Sequence, residues 1–283
     1  MQFGDLPERF TRYDQARIVV LPVPYDNTST WMKGADRGPA ALLEASTHLE
    51  LYDIETDSEV YRRGICTLPP VECPSLPEEM VAAVRRSAEP LFRDDKLVVG
   101  LGGEHSVTVG LVQAALETYP DLSVLQLDAH SDMRNEFEGS PFNHACVMAR
   151  VTEICPAVQI GIRSMDVSEK SRLHPDRLVP AHALHRYGIE AAADALDQLT
   201  DTVYITVDLD VLDPSCMPST GTPEPGGLDW YMLNGIIARV SREKNIIGMD
   251  VVELLPDPGN RAPDFLAAKL IYRSLSMIYS GRP

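Results

Sequence analysis

What this sequence lacks narrows its class before any motif is read. It has no CxxC and no closely spaced, even-numbered set of cysteines. The five present (Cys66, Cys73, Cys146, Cys155, Cys216) are scattered, which argues against a disulfide framework and against a cysteine zinc site. A reducing cytoplasm is therefore expected. No apolar run approaches the roughly 20 residues of a membrane span, and the opening "MQFGDLPERF" has no apolar targeting core. Positive charge is scarce: 25 basic residues stand against 42 acidic ones, a formal net charge of −17. That balance repels phosphate backbones and anionic lipid, so neither nucleic acid nor membrane is an expected partner, whereas small cations and metal ions are. The chain also has no Gly/Ser/Pro-rich linker, no repeat and no low-complexity tract, so one domain over 1–283 is the economical reading. An apolar fraction of 44% with 24% charged residues is that of an ordinary globular protein and not of a disordered one.

What is present alternates. β-rich apolar runs recur at 17–24, 96–103, 123–130, 157–164, 203–213 and 245–254, and helical patterns such as "GPAALLEASTHLELY", "SVTVGLVQAALETY", "EAAADALDQL", "DWYMLNGIIARVSRE" and "PDFLAAKLIYRSLSMIY" lie between them. Strand and helix in alternation predict an α/β fold: three layers around a mainly parallel, doubly wound sheet. The Pro-rich stretch 62–78 reads as a loop within that domain.

Sheets of this kind bind ligands at the carboxyl ends of their strands. The run at 96–101 ends in "GLGGEHS". Counted from Gly100, a dinucleotide loop would need glycine where His105 stands, and a phosphate loop would need GK[ST]. The glycines instead predict a tight turn presenting His105 at a helix start. The next runs end in "LDAHSD", giving Asp128, His130 and Asp132, and in "VDLD", giving Asp208 and Asp210. Alternate strand residues share a face, so each set is expected to converge above the sheet edge. A lone acid there is usually a cap, and Asp213 before Pro214 reads that way. Three strand ends that all deliver metal-type ligands are a different matter, because unpaired buried carboxylates are costly. Four Asp and two His are too many for one tetrahedral ion and suit two ions bridged by carboxylates. Hard oxygen donors with imidazole and no thiolate favour two Mn²⁺, although Zn²⁺, Ni²⁺ or Co²⁺ bind such sites at least as strongly by intrinsic affinity. Four carboxylates cancel two divalent ions, and a bridging hydroxide leaves a net charge of about −1, suited to a cationic electrophile.

Taken together, "GGEHS", "DAHSD", "DLDVLDPSCMPSTGTPEPGGL" and "GMDVVE" resemble the ureohydrolase family of arginases, agmatinases, guanidinobutyrases and formimidoglutamases, with the motifs in the family's order from about residue 17 onward. The resemblance implies the arginase-like fold. It also implies one ion held by His105, Asp128, Asp132 and Asp208, and a second by His130, Asp128, Asp208 and Asp210, with Asp128 and Asp208 bridging. A metal-bridging hydroxide would attack the guanidinium carbon and Asp132 would pass the proton to the leaving amine. Glu253 would pair with the guanidinium, His144 would shuttle protons, and Thr222 would add a hydrogen bond to substrate. Many members write GGDHS, so Glu104 is expected to replace that aspartate as the partner orienting His105. Trimers or hexamers are common in the family, so a homo-oligomer is implied.

The loop after "DAHSD" reads "MRNEFEGSPFNHACVMAR", similar to agmatinases, and Glu136 and Glu138 within it would welcome a terminal ammonium. Agmatine hydrolysis to putrescine and urea is the leading expectation. N1-aminopropylagmatine, on a spermidine route, is the alternative, followed by guanidinobutyrate and arginine. Deacetylases of this general fold use a single Zn²⁺ with fewer acids, and a non-catalytic relative would have a broken ligand set, whereas all six candidates are present. His48, His174, His182 and His185 belong to no motif, and the last two fall in a loop or short helix.

Overall fold

The computed structural model describes residues 1–280; residues 281–283, the end of the expected 1–283 domain, lie outside them. Among the described residues, eight strands form one sheet: β1 (Ile18–Val23), β2 (Ile65–Thr67), β3 (Leu97–Gly102), β4 (Leu122–Leu127), β5 (Ala157–Ile162), β6 (Leu178–Pro180), β7 (Thr202–Asp208) and β8 (Asn245–Val252). Their order is β2-β1-β3-β8-β7-β4-β5-β6 and every pairing is parallel. The helices are α1 (Gly38–Ser46), α2 (Pro77–Arg93), α3 (Val107–Leu116), α4 (Val147–Val151), α5 (Ala181–Tyr187), α6 (Ala193–Leu196), α7 (Trp230–Glu243) and α8 (Ala262–Ser280).

The continuous apolar runs fold as strands because both faces of the sheet are covered. Along β1, Ile18 and Val20 join the core beneath α1, α7 and α8, while Val19, Leu21 and Val23 join the core beneath α2, α3 and α4. The predicted three-layer α/β fold is thus the observed one.

Two strands escaped the pattern. Ile65–Thr67 lies inside the stretch expected to be a loop, and Leu178–Pro180 was not anticipated; each forms an outermost strand of three residues. Three residues carry no periodicity, and what makes them strands is pairing with a longer neighbour, Ile18 with Ile65 and Ile160 with Val179. His182 and His185 sit on the short helix α5.

One register row crosses the middle of the sheet: Gly100, Asp250, Thr206, Gln126 and Gln159 stand side by side on β3, β8, β7, β4 and β5. All four side chains in that row are polar, and all are buried. They lie just below the carboxyl edge, where the next residues of the chain leave the sheet.

A candidate dinuclear metal centre

The central strands β3, β8, β7 and β4 are neighbours, and the candidate residues follow their carboxyl ends: His105 after β3, Glu253 after β8, Asp208 and Asp210 at β7, and Asp128 to Asp132 after β4. Strand alternation, the display expected from the sequence, is not what presents either ligand set. β4 ends at Leu127, and Asp128 then accepts the His130 amide on Oδ1 at 2.6 Å. Asp132 is turned inward by a left-handed backbone (φ 52°), a conformation that costs free energy for a non-glycine residue and persists only when its surroundings enforce it. Glu169 supplies that enforcement, accepting the Ser131 hydroxyl and the Met133 amide on either side. After β7, Asp208 caps a short 3₁₀ turn by accepting the Asp210 amide at 2.9 Å, which aims Asp210 back at the site.

At β3 the turn through Gly103 presses against Tyr25: a side chain at Gly103 would begin 2.1 Å from the Tyr25 carbonyl oxygen. His105 follows, with its amide donating to Glu253 Oε1 at 2.8 Å. Its Nε2 meets Thr206 Oγ1 at 2.9 Å, and that hydroxyl donates to Asp250 Oδ1 at 2.6 Å. Because Thr206 spends its proton on Asp250, it must accept from His105, which places a proton on Nε2 and turns Nδ1 toward the carboxylates, where either a second proton or a metal ion can take its lone pair. His105 Nδ1 is buried without a hydrogen-bond partner, yet it lies 3.1 Å from Asp128 Oδ2, 3.1 Å from Asp132 Oδ2 and 3.4 Å from Asp208 Oδ2. Four donor atoms converging on one point are what a divalent cation satisfies in place of the protons that they otherwise share.

A second group stands alongside. His130 Nδ1 is 2.9 Å from Asp210 Oδ2 and 3.7 Å from Asp128 Oδ1. The ligand atoms of His105, Asp128 and Asp132 cluster within 4.8 Å of one another, as do those of Asp128, His130 and Asp210. Asp128 belongs to both, and Asp208 leans on the first. The donor set therefore fits two metal ions.

Charge repulsion in a buried place explains the titration of these groups. Burial, then Asp210 and Asp132, push Asp128 up to about 7. Burial, then Asp210 and Asp128, push Asp208 well above the carboxylate range. Burial opposes charge on Asp210 too, but His130 and the Ala129 amide outweigh it and hold that carboxyl at about 2. Burial would lower both imidazoles, yet the surrounding carboxylates win and raise His105 well above its ordinary value and His130 to about 11. The site draws in positive charge, and metal ions compete with protons for the same lone pairs.

Above the cluster opens a cavity of about 310 Å³, lined by both histidines, Asp132, Asp208, Asp210, Glu253, His144 and Thr222, with Trp31, Phe137, Met165 and Asp166 among its other walls. Glu253 projects from a left-handed backbone (φ 65°), and burial, then Glu104, raise its pKa well above the carboxylate range. Burial also lowers His144 to about 4 despite the pull of Asp132, so this imidazole stays neutral at physiological pH.

Several expectations need correction. Glu104 does not orient His105: its buried carboxylate accepts from the hydroxyls of Thr28 and Ser106, and Thr206 with Asp250 does the orienting. Glu136 and Glu138 are exposed and line no part of the cavity, and the acids that do lie there on the same side, Asp166 and Glu169, are near Arg134 at 4.0 and 3.6 Å. Asp213 is no ligand but caps no helix either: it closes the turn at Pro214 and ties back the loop by accepting the amides of Ser215, Gly226 and Gly227. The four unassigned histidines are exposed and outside the cavity. Sequence reasoning missed Thr206, Asp250, Gln126, Glu169 and Arg163. Gln126 donates to Asp128 Oδ2 at 2.7 Å and is oriented by Gln159 at 2.6 Å. Arg163, in "GIRS", donates to the carbonyls of Asp210 and Glu224 at 2.6 and 2.8 Å and so staples the loop after β7. A polar residue inside an apolar strand run was the one available signal for Gln126, Thr206 and Asp250.

The all-parallel sheet with paired imidazole and carboxylate donors at its carboxyl edge is the arginase-like arrangement, and known proteins similar to it are hydrolases of guanidino C–N bonds. The chain belongs to the arginase family, whose model, described as "Arginase family", matches residues 16–276. It is 43% identical over 275 residues to the N(1)-aminopropylagmatine ureohydrolase of Thermus thermophilus, covering 95% of this chain and 93% of that one. It is 32% identical to the agmatinase of Pyrococcus horikoshii, covering 93% and 92%. Among solved structures, the agmatine ureohydrolase of Thermoplasma volcanium superposes with a TM-score of 0.89 at 30% identity, covering 99% of this chain and 95% of that chain.

Proposed function

We propose that the chain hydrolyses N1-aminopropylagmatine to urea and the corresponding polyamine, acting in the cytoplasm as a homo-oligomer with two Mn²⁺ per chain. Agmatine, the leading expectation from the sequence, becomes the second substrate. The observation that carries the reading is the shared-carboxylate donor pair at the head of a cavity built for cations, and the 43% identity to an aminopropylagmatine enzyme against 32% to an agmatinase favours the longer substrate.

His105, Asp128, Asp132 and Asp208 would hold one ion, and His130, Asp128 and Asp210, with Asp208 shared, the other. Bound there, the pair of ions supplies a strong nucleophile from water near neutral pH and stabilises developing negative charge. Glu253, buried and short of a positive partner, receives the guanidinium through charge-assisted hydrogen bonds. Asp132, turned toward the cluster, carries a proton to the leaving nitrogen. His144, neutral, exchanges that proton with the cavity. Thr222 donates or accepts one hydrogen bond at the substrate's side. Beyond this head, Phe137, Trp31 and Met165 offer apolar wall to a polymethylene arm. A net charge of −17 suits a small cationic guanidino substrate and neither nucleic acid nor membrane.

Urea release by the Mn²⁺-loaded protein from aminopropylagmatine, agmatine, guanidinobutyrate and arginine, compared as kcat/KM, tests the reading. Aminopropylagmatine is expected to lead and arginine to trail; turnover of arginine alone would overturn it. One zinc per chain with acetate release from an acetylated polyamine would place the chain in the other enzyme class.

A further inference from the structure

Glu104 has lost the role that its motif suggested, and its surroundings show another. Its side chain is fully buried, with carboxylate oxygens accepting from Ser106 Oγ and Thr28 Oγ1. A hydroxyl has one proton to give. With that proton on Glu104, Thr28 Oγ1 presents a lone pair outward, and it accepts the backbone N–H of His144 at 2.9 Å. His144 is the first residue of a short 3₁₀ turn (His144–Cys146) whose other free amide, from Ala145, is capped by Asn143 Oδ1 at 3.0 Å. Thr28 itself sits in a loop closed independently: Asp26 Oδ2 accepts the amides of Gly34 and Ala35 at 2.5 and 3.0 Å, and the Glu104 amide donates to the Tyr25 carbonyl at 2.8 Å. The loop is therefore a firm platform.

We propose that Glu104 is a positioning residue for His144, acting through the Thr28 hydroxyl, and has no part in holding metal. The carboxylate fixes which way the hydroxyl points, the hydroxyl fixes the amide, and the amide sets where the imidazole enters the cavity beside Asp132. An aspartate at 104 would be one methylene shorter, so the contact with Thr28 is one that glutamate's extra reach serves. The proposal rests on the ureohydrolase reading for what His144 does, but the clamp itself is a matter of hydrogen bonding.

The test therefore reads both. Amide hydrogen exchange at His144 in metal-free protein should quicken about tenfold in Thr28→Val, the loss of one hydrogen bond, and return to the original rate in Thr28→Ser. In Mn²⁺-loaded protein, Thr28→Val should lower kcat about 10- to 100-fold with little change in KM, while bound metal stays at the wild-type ratio. Glu104→Gln, which keeps shape and one acceptor oxygen, should show the same pattern more weakly. In a His144→Asn background, Thr28→Val should cost nothing further, since coupled residues do not add. Unchanged exchange and turnover in both Thr28→Val and Glu104→Gln would overturn the proposal. So would loss of metal in either, which would return Glu104 to His105. Should wild-type protein release no urea from any guanidino substrate, the functional reading fails, and the exchange rates still decide the clamp.

Discussion

The two halves of the candidate metal centre are built differently. Around His105 everything is buried, and the ring is held from behind by a side-chain relay through Thr206 to Asp250, itself steadied by the Tyr204 hydroxyl at 2.9 Å. His130, with its side chain 25% exposed, has Glu224 3.8 Å beyond its far nitrogen, too long for a hydrogen bond, and its partners come from loops after β4 and β7. The first half is a rigid pocket set into the sheet, and the second is an open shelf. A pocket that cannot relax pays more for losing a partner, and a shelf exchanges its ion more readily.

The largest effect is expected where the halves meet. Asp128→Asn should strip or weaken both ions and lower activity about a thousandfold, with metal analysis showing fewer than two ions per chain. Two ions and full activity in that variant would mean Asp128 is not the bridge. Glu253→Gln should separate chemistry from metal binding: both ions stay, by metal analysis, while urea release falls roughly 10²- to 10³-fold. Thr206→Val removes the support of the buried half alone, so titration of the metal-free protein should show one ion weakened about 10- to 100-fold and the other unaffected. Equal weakening of both would erase the distinction between pocket and shelf. Smallest is the pH dependence. Asp128 titrates at about 7 in the fold against 3.8 in the open chain, so between those values the folded state holds a proton the unfolded state has released. Stability of the metal-free protein falls across that window as pH rises. His130, at about 11 against 6.5, extends the loss upward. Bound metal replaces those protons, so the gain in Tm on adding Mn²⁺ should be greater at pH 8 than at pH 5.5, followed by thermal melting.

The candidate ligands of both halves were more legible in the sequence than the pocket's support. Asp128, His130, Asp132, Asp208 and Asp210 announce themselves because acids cluster where apolar runs end, and burying them demands a reason. The fold followed from the same runs, whose length and alternation with helices leave few arrangements. Thr206 and Asp250 gave no such signal. Each is one polar letter in an apolar strand, and its meaning depends on which strand lies beside it, a relation between residues 44 positions apart that periodicity does not contain. Glu104 misled for a related reason: adjacency to His105 in sequence suggested contact, but neighbours on a turn point apart. The edge strands Ile65–Thr67 and Leu178–Pro180 are defined only by their partners.

The polar row of Asp250, Thr206, Gln126 and Gln159 has a consequence for how the chain reaches this structure. Apolar strands tolerate sliding past one another, because valine against leucine is nearly as good as valine against isoleucine. Sliding any one of β8, β7, β4 or β5 would leave buried donors and acceptors without partners, at about 1 to 3 kcal/mol for each group. The row is then a combination that opens only when four strands are correctly aligned, and the same alignment puts each carboxylate at its height above the sheet. A sequence that assembled the ligands wrongly would be penalised during folding, before any metal arrived to reward the correct arrangement.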